Sequence, residues 1–250
     1  MSDKKKLFVV SDIHGHYTQL QRALDEAGFD ENNEDHVFVS CGDLFDRGSE
    51  NRKVYDFVAH LERKILIRGN HDERLAEIFD EGRINFCDVH NGTDVTLEEF
   101  FGVGSVGGCG ELRIPKDDMM VSSLRRLVDE MLDYYETENY VFVHGWLPTV
   151  RGEKPWRLVE NWRDADAGAW HSARFFEWQL LYGTNDMLKG KTVVCGHRPT
   201  RLAYAFDPSR SLGDSSIYYG DGMIAVDAGT ISSGRVNVLV IEENIKEEFL

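Results

Sequence analysis

The sequence is short of cysteine, of positive charge and of long apolar runs, and each shortage removes a class of protein. Its four cysteines, Cys41, Cys87, Cys109 and Cys195, form no Cys-x-x-Cys pair, so no redox or metal motif of that spacing exists. Cys41 and Cys195 fall inside apolar, strand-like runs, where a small reduced side chain packs well. This cysteine usage predicts a cytoplasmic protein. Lysine and arginine number 28 against 44 aspartate and glutamate, a formal net charge of −16. Like charge repels a nucleic-acid backbone and an anionic membrane, so neither is expected as a partner, and an anionic substrate needs locally placed cations. Only Leu7–Val10 is apolar between the lysines at 4–6 and Ser11-Asp12, too short a run for a signal peptide or a membrane span. Without a repeat, low-complexity tract or linker in 250 residues, one α/β domain spanning 1–250 is expected, long enough to bury a sizeable core.

What is present alternates. Leu7–Val10, Val37–Ser40 and Ile65–Ile67 read as buried strands. Between them, Leu20, Ala23, Leu24 and Ala27, then Val54, Phe57, Val58 and Leu61, recur at helical spacing. This βαβαβ opening predicts parallel strands covered by helices, with ligands collecting at the carboxyl ends of the strands. Glu73–Phe79 reads as a short helix with Asp72 as a possible N-cap. The glycines between 82 and 110 predict a loop-rich insertion, about 82–135, relieved by one helical face through Val121, Leu124, Val128, Leu132 and Tyr135. Tyr140–Val143 and Thr192–Cys195 read as further strands. Met223–Val226 and Val236–Ile241 read as a late hairpin around Asp227-Ala228-Gly229. The aromatic-rich segment, about 155–182, is open to two readings: helix core packing or one wall of a substrate site.

The chemistry gathers where strands stop. Asp12, His14, Asp43, Asn70, His144 and His197 each follow an apolar run, so a sheet would bring them to one edge. Imidazole, carboxylate and amide oxygen together suit manganese, iron, zinc or cobalt better than a thiolate-preferring metal. Six such groups are too many for one catalytic zinc with an open position and suit two metals sharing a carboxylate. Val37–Gly48 is the densest stretch, delivering Asp43, Asp46 and Arg47 within five residues. There Asp43 reads as a ligand, Arg47 as an oxyanion clamp and Asp46 as a carboxylate that orients another group.

Asp12-x-His14, Gly42-Asp43-x-x-Asp46-Arg47-Gly48, Arg68-Gly69-Asn70-His71-Asp72, His144-Gly145 and Gly196-His197 resemble, in order, the signature of the calcineurin-like metallophosphoesterases. The Asp-Arg-Gly form resembles the branch holding the PPP-type serine/threonine phosphatases and the symmetrical diadenosine tetraphosphatases. Asp72 stands where eukaryotic PPP enzymes have Glu, and their C-terminal Ser-Ala-Pro-Asn-Tyr segment is not found, so the chain looks more like the small bacterial and phage members. The resemblance implies a β-sandwich of mixed sheets flanked by helices. It implies two divalent ions, manganese first, one held by Asp12, His14 and Asp43 and one by Asp43, Asn70, His144 and His197. It also implies in-line hydrolysis of phosphomonoesters by a metal-activated hydroxide, with Arg47 and Arg68 on the phosphoryl oxygens, His71 protonating the leaving oxygen and Asp46 orienting His71.

The expected substrate is a phosphorylated protein or a small phosphoester, with a serine/threonine protein phosphatase preferred over a diadenosine tetraphosphatase. The latter would draw Arg163, Arg174 or Arg198 to distal phosphates and stack adenine on Trp162 or Trp170. A nuclease is disfavoured by the acidic balance. A non-catalytic metal-binding protein is disfavoured by the presence of both His71 and the arginines.

Overall fold

The computed structural model describes residues 4–107, 110–151, 156–181, 188 and 190–245; Cys109 lies outside them. The opening βαβαβ unit is β1 (Lys5–Val10), α1 (Tyr17–Ala27), β2 (His36–Ser40), α2 (Asn51–His60) and β3 (Lys64–Leu66). Leu20 and Leu24 bury one face of α1, and Gly28, at φ 79°, ends it in the left-handed conformation. Four helices follow: α3 (Asn70–Glu81), α4 (Phe86–His90), α5 (Thr93–Phe101) and α6 (Met119–Asp129). The second half contains β4 (Tyr135–Glu136), β5 (Tyr140–Phe142), the antiparallel pair β6 (Thr149–Arg151) and β7 (Trp156–Leu158), α7 (Ala167–Arg174) and β8 (Thr192–Cys195). It closes with β9 (Tyr218–Gly220), β10 (Met223–Ala225), α8 (Thr230–Ser233) and β11 (Leu239–Glu243).

Two sheets form, ordered β11-β1-β2-β3 and β4-β5-β8-β10-β9; strands pair in parallel except at the β11 edge of the first and at both edges of the second, which are antiparallel. The period of two sorts their side chains. Leu7, Val9, Val37 and Val39 turn inward against Phe142, Val194 and Ile224 of the other sheet. Phe8, Val10 and Phe38 turn outward under α1, α2 and α6. On the far side, Val141, Val193 and Cys195 turn outward under Trp162, Trp170 and Trp178. Because both faces of the central strands are covered, they read as continuous apolar runs rather than alternating ones. Each such buried side chain contributes about 1.5–3 kcal/mol. The molecule is therefore a sandwich of mixed sheets flanked by helices, as the resemblance implies.

Three local expectations are corrected. Met223–Ala225 and Leu239–Glu243 do not pair as a hairpin but belong to different sheets, β10 beside β8 and β11 beside β1. Segment 82–107 is largely helical. Asn85 caps α4 by accepting from the backbone N–H groups of Cys87 and Asp88, and Gly92, at φ 82°, separates α4 from α5, so glycine punctuates short helices here. Finally, α6 stops at Asp129, and Tyr135 belongs to β4.

Candidate metal centre and active site

The carboxyl ends of β1, β2, β3, β5, β8 and β10 meet at one edge and deliver, respectively, Asp12 and His14, Asp43 to Arg47, Asn70 and His71, His144, His197 and Asp227. Seven non-glycine residues among those described have positive φ, and six of them are Asp12, His14, Asp43, Asp46, Arg47 and His197. Such backbone costs on the order of 1–3 kcal/mol each and persists only where surrounding bonds fix it. Here they do. The Asp12 N–H donates to Gly42 O at 3.0 Å and the His14 N–H to Asp43 O at 3.0 Å. Asp72 is not the N-cap of α3, which begins after Gly69. Its buried carboxylate instead accepts from the N–H groups of Asp43 (2.8 Å), Gly69 (2.9 Å) and Leu44 (3.1 Å), tying the β2 and β3 ends together. A side chain at Gly69 would collide with the Asp43 carboxylate, so only glycine lets the β3 end approach this closely.

The donor set converges on Asp43. Its Oδ2 lies 3.4 Å from His144 Nε2 and 3.7 Å from His14 Nε2, which is 3.8 Å from Asp12 Oδ1. Ligand atoms about 2.0–2.2 Å from a shared ion lie roughly 3.0–3.5 Å apart at tetrahedral or octahedral angles, close to these separations. His14 Nδ1 faces Phe45 O at 2.9 Å, so that nitrogen carries the proton and Nε2 presents its lone pair to the two carboxylates. His144 is more telling. Its Nδ1 faces Cys41 O at 2.7 Å while Nε2 faces Asn70 Oδ1 at 2.9 Å, so a neutral ring cannot satisfy both sides and positive charge is needed there, on the ring itself or on an ion between Nε2 and Asn70 Oδ1.

Electrostatics say the same. Burial disfavours charge on His144, yet Asp43 and Asp12 outweigh it and push its pKa up to about 10. Burial and the Asp43 carboxylate push Asp12 up, and burial and Asp12 push Asp227 well up, the mark of buried negative charge short of a counter-ion. Burial holds His14 well below its ordinary value, and burial with His144 holds His197 at about 3, neutral and free to ligate. Two groups could each hold an ion, His14, Asp43 and His71, or Asp43, His144 and His197, with Asp43 common to both. His71 is the weaker candidate ligand, since its Nδ1 lies 2.7 Å from Asp46 Oδ2 and its Nε2 lies 3.2 Å from Arg47 Nη2.

Asp46 is itself held. Thr93 Oγ1 donates to its Oδ2 at 2.9 Å and Thr96 Oγ1 to its Oδ1 at 2.8 Å. Both threonines come from α5, inside the segment expected to be loop, and no motif marks them. Of the remaining cations nominated from the sequence, Arg198 borders the cleft, whereas Arg68, Arg163 and Arg174 are held elsewhere. Arg68 turns away and donates through Nη2 to the carbonyls of Val128, Met131 and Asp129 at 3.0, 3.2 and 3.4 Å, closing the C-terminal end of α6. Arg163 is bound through two nitrogens to Glu136 at 2.6 Å. Arg174 is buried between Glu73, at 2.7 Å, and Asp133, bracing the first turn of α3 behind Asn70 and His71. Trp162 and Trp170 are 4% and 3% exposed, so neither can stack a base, and the tryptophans Trp162, Trp170 and Trp178 are core. Phe175, 48% exposed, is the aromatic that reaches the site, its ring 6.2 Å from that of His197.

Two clefts meet here and share only Asn70 and His71. One, of about 390 Å³, contains Asp12, Asp43 and His197 and is bordered by Arg47, Arg198 and Arg201. The other, of about 250 Å³, is walled by Glu73, Glu77, Asp88, Arg74, His171 and Phe175. Arg198 is among the cations that the sequence offers for distal phosphates, whereas Arg201 and the acidic wall of the second cleft carry no sequence signature beyond their closeness to His197 and Asn70.

The calcineurin-like phosphoesterase family matches residues 5–221 of this chain. The symmetrical bis(5'-nucleosyl)-tetraphosphatase of Aeromonas hydrophila is 42% identical over 72 residues, 28% of this chain and 26% of that protein. The same enzyme from Proteus mirabilis is 36% identical over 73 residues, 29% and 26%. The matched part thus spans about a quarter of the length of these curated relatives. Among solved structures, a candidate diadenosine tetraphosphatase superposes with a TM-score of 0.54 at 16% identity, over 96% of this chain and 94% of that one. A Saccharomyces cerevisiae serine/threonine phosphatase with similarity to human PP5 superposes with a TM-score of 0.53 at 13% identity, over 97% and 81%. With a family match across most of its length and a sandwich whose strand ends converge on Asp43, the chain belongs to the calcineurin-like phosphoesterases.

Proposed function

We propose that the chain is a metal-dependent hydrolase of phosphomonoesters on hydroxyl side chains, a serine/threonine-type protein phosphatase acting at the Asp43 centre. Asp12, His14 and Asp43 would hold one divalent ion, and Asp43, Asn70, His144 and His197 a second, with manganese the first choice for oxygen and imidazole donors. When bound, such ions supply Lewis-acid charge to the phosphoryl oxygens and activate water near neutral pH. Arg47 offers a planar fork to the non-bridging oxygens. His71 gives a proton from Nε2 to the leaving oxygen, and Asp46, fixed by Thr93 and Thr96, holds Nδ1 and stabilises the imidazolium.

The observation that carries the substrate class is the wall beside His71, where Glu73, Glu77 and Asp88 outnumber the one lining guanidinium, Arg74, which is bonded to both Asp88 and Glu77, while Glu73 is paired with His171 and with Arg174 behind the wall. A leaving nucleoside diphosphate would bring further negative charge against this wall, whereas a seryl or threonyl peptide brings none, or positive charge from basic neighbours. A second reading, a symmetrical dinucleoside tetraphosphatase, is favoured by the names of the curated relatives and by Arg47, Arg198 and Arg201 around the other cleft. Side-by-side assay of phosphopeptides, p-nitrophenyl phosphate and diadenosine tetraphosphate with manganese separates them. Phosphopeptides with basic flanks are expected to be preferred. Cleavage of the dinucleotide to two ADP with a kcat/KM far above that of any phosphopeptide would replace the first reading by the second.

A further inference from the structure

The larger cleft continues past the Asp43 centre to Arg201, which the chemistry proposed above does not use. Arg201 has no ion pair or hydrogen bond among the described residues, and its Nε is buried without a partner. Its neighbour Arg198 is only partly engaged: Nη2 reaches Glu177 at 3.2 Å, and Nε is likewise buried and unpartnered. A buried guanidinium nitrogen without an acceptor is costly, and a chain with 44 acidic residues has every opportunity to supply one. The backbone that presents Arg201 is fixed rather than loose. The Thr200 N–H donates to Asp227 O at 2.8 Å, Trp178 Nε1 donates to Arg198 O at 2.9 Å, and Thr200–Ala205 forms a short 3₁₀ turn. A partly buried guanidinium carried on a fixed turn beside a phosphoryl-binding centre is suited to bind a planar anion through two parallel N–H bonds.

We propose that Arg201 is a specificity-determining residue that binds a second anionic group of the substrate, a phosphate or a carboxylate carried near the scissile phosphoester. The inference rests on the reading of the Asp43 centre as a phosphoryl site. It adds a polarity to that reading. A substrate crossing the centre meets carboxylates on the His71 side and guanidinium groups on the Arg201 side, so a chain with basic residues in one direction and an acidic or phosphorylated residue in the other is matched at both ends.

The test uses anions whose carbon–phosphorus bond the enzyme does not hydrolyse, titrated calorimetrically into the full-length, manganese-loaded protein in a metal-buffered solution. Methylphosphonate offers one anionic group, methylenediphosphonate a phosphate-like second and phosphonoacetate a carboxylate second. Wild type is expected to bind at least one of the two bifunctional probes more tightly than methylphosphonate, and which one identifies the second group. Arg201→Ala should weaken that probe roughly ten- to hundredfold more than it weakens methylphosphonate. Arg201→Lys, which keeps the charge but not the fork, should recover part of the loss, and melting curves of both variants establish that they fold. Equal weakening of all three probes, or no preference in wild type for either bifunctional probe, would overturn the role of Arg201 while leaving the phosphoryl site in place. Failure of wild type to bind methylphosphonate at all would overturn the phosphoryl site and the inference with it.

Discussion

Arg47 Nη2 lies 3.2 Å from His71 Nε2, the nitrogen that faces the cleft, while His71 Nδ1 lies 2.7 Å from Asp46 Oδ2. In this arrangement Nε2 accepts from Arg47, and a nitrogen that accepts cannot also carry the proton a leaving oxygen needs. A phosphate that draws Arg47 onto its own oxygens releases Nε2 to be protonated, so clamp and acid are linked. Burial disfavours the imidazolium of His71, but Asp43 and Asp46 outweigh it and hold its pKa above the ordinary value, which keeps the acid form available further into the neutral range.

His71→Asn is therefore expected to lower kcat about 100 to 10,000-fold on a phosphoserine peptide, whose alkoxide must be protonated, and far less on p-nitrophenyl phosphate, whose phenolate leaves unaided. The wild-type rate on the peptide should fall at alkaline pH as His71 loses its proton, and the variant should lack that limb. Equal losses on both substrates, with the limb retained, would mean that His71 holds the metal site together instead.

The strand ends were legible for a physical reason. Val37–Ser40 is covered on both faces, so it reads as an unbroken apolar run, and a run that stops at Asp43 advertises its own terminus. Topology then brings every such terminus to one edge, which is why ligand-type residues as far apart as Asp12 and His197 could be grouped without an alignment. Side-chain direction was not legible. Arg68 immediately precedes Gly69-Asn70-His71 yet turns toward α6, because three carbonyls at its C-terminal end accept from it. Thr93 and Thr96 were hidden because their partner, Asp46, lies 47 and 50 residues away. The aromatic segment left two readings open because burial and exposure of Trp162 depend on the neighbouring sheet face, not on local spacing.

Metal-loaded protein is expected to carry two divalent ions per chain by elemental analysis, and Asp43→Asn to retain fewer, since Asp43 is common to both ligand groups. Chelation should abolish activity. It should also lower Tm, because a ligand that binds only the folded state stabilises it by mass action, about 2.7 kcal/mol at a hundredfold excess over Kd. A stoichiometry of zero or one with activity surviving chelation would sink the two-metal site.

Glu136 supplies a pH test remote from the metal centre. Arg163 and Lys191 bond to it and, against partial burial, hold its pKa at about 2, below the ordinary 4.5. A depressed carboxylate pKa contributes stability that is present above the unfolded value and is lost as pH falls toward the folded one. Wild type and Glu136→Gln should therefore differ most in Tm above about pH 5, and converge as pH falls from 4.5 toward 2. The pair is partly solvated, so the difference at neutral pH is expected at about 1 kcal/mol or less. A gap independent of pH would assign the effect to packing rather than charge.

Arg68 and Arg47 look equivalent in the sequence, each beside a ligand in a charged motif, and the structure separates them. Arg68 donates to carbonyls at the C-terminal end of α6, a helix whose buried Val121, Leu124 and Leu127 belong to the main core. Arg47 is exposed at the cleft and has no carboxylate partner among the described residues. Removing Arg68 takes a donor from the Met131 carbonyl and a cation from the negative end of the helix, a loss of about 1–2 kcal/mol. In a chain of this size that corresponds to a fall in Tm of a few degrees, at about 2–4 °C per kcal/mol. Arg47→Ala should instead register in kcat/KM, by roughly ten- to a hundredfold for a lost charge-assisted contact to the phosphoryl group. Tm and kcat/KM of the two variants, measured in one buffer with manganese, decide between the assignments. A large kcat/KM loss for Arg68→Ala with an unchanged Tm would show that its guanidinium swings into the cleft when substrate binds and would restore the clamp that the motif alone suggests.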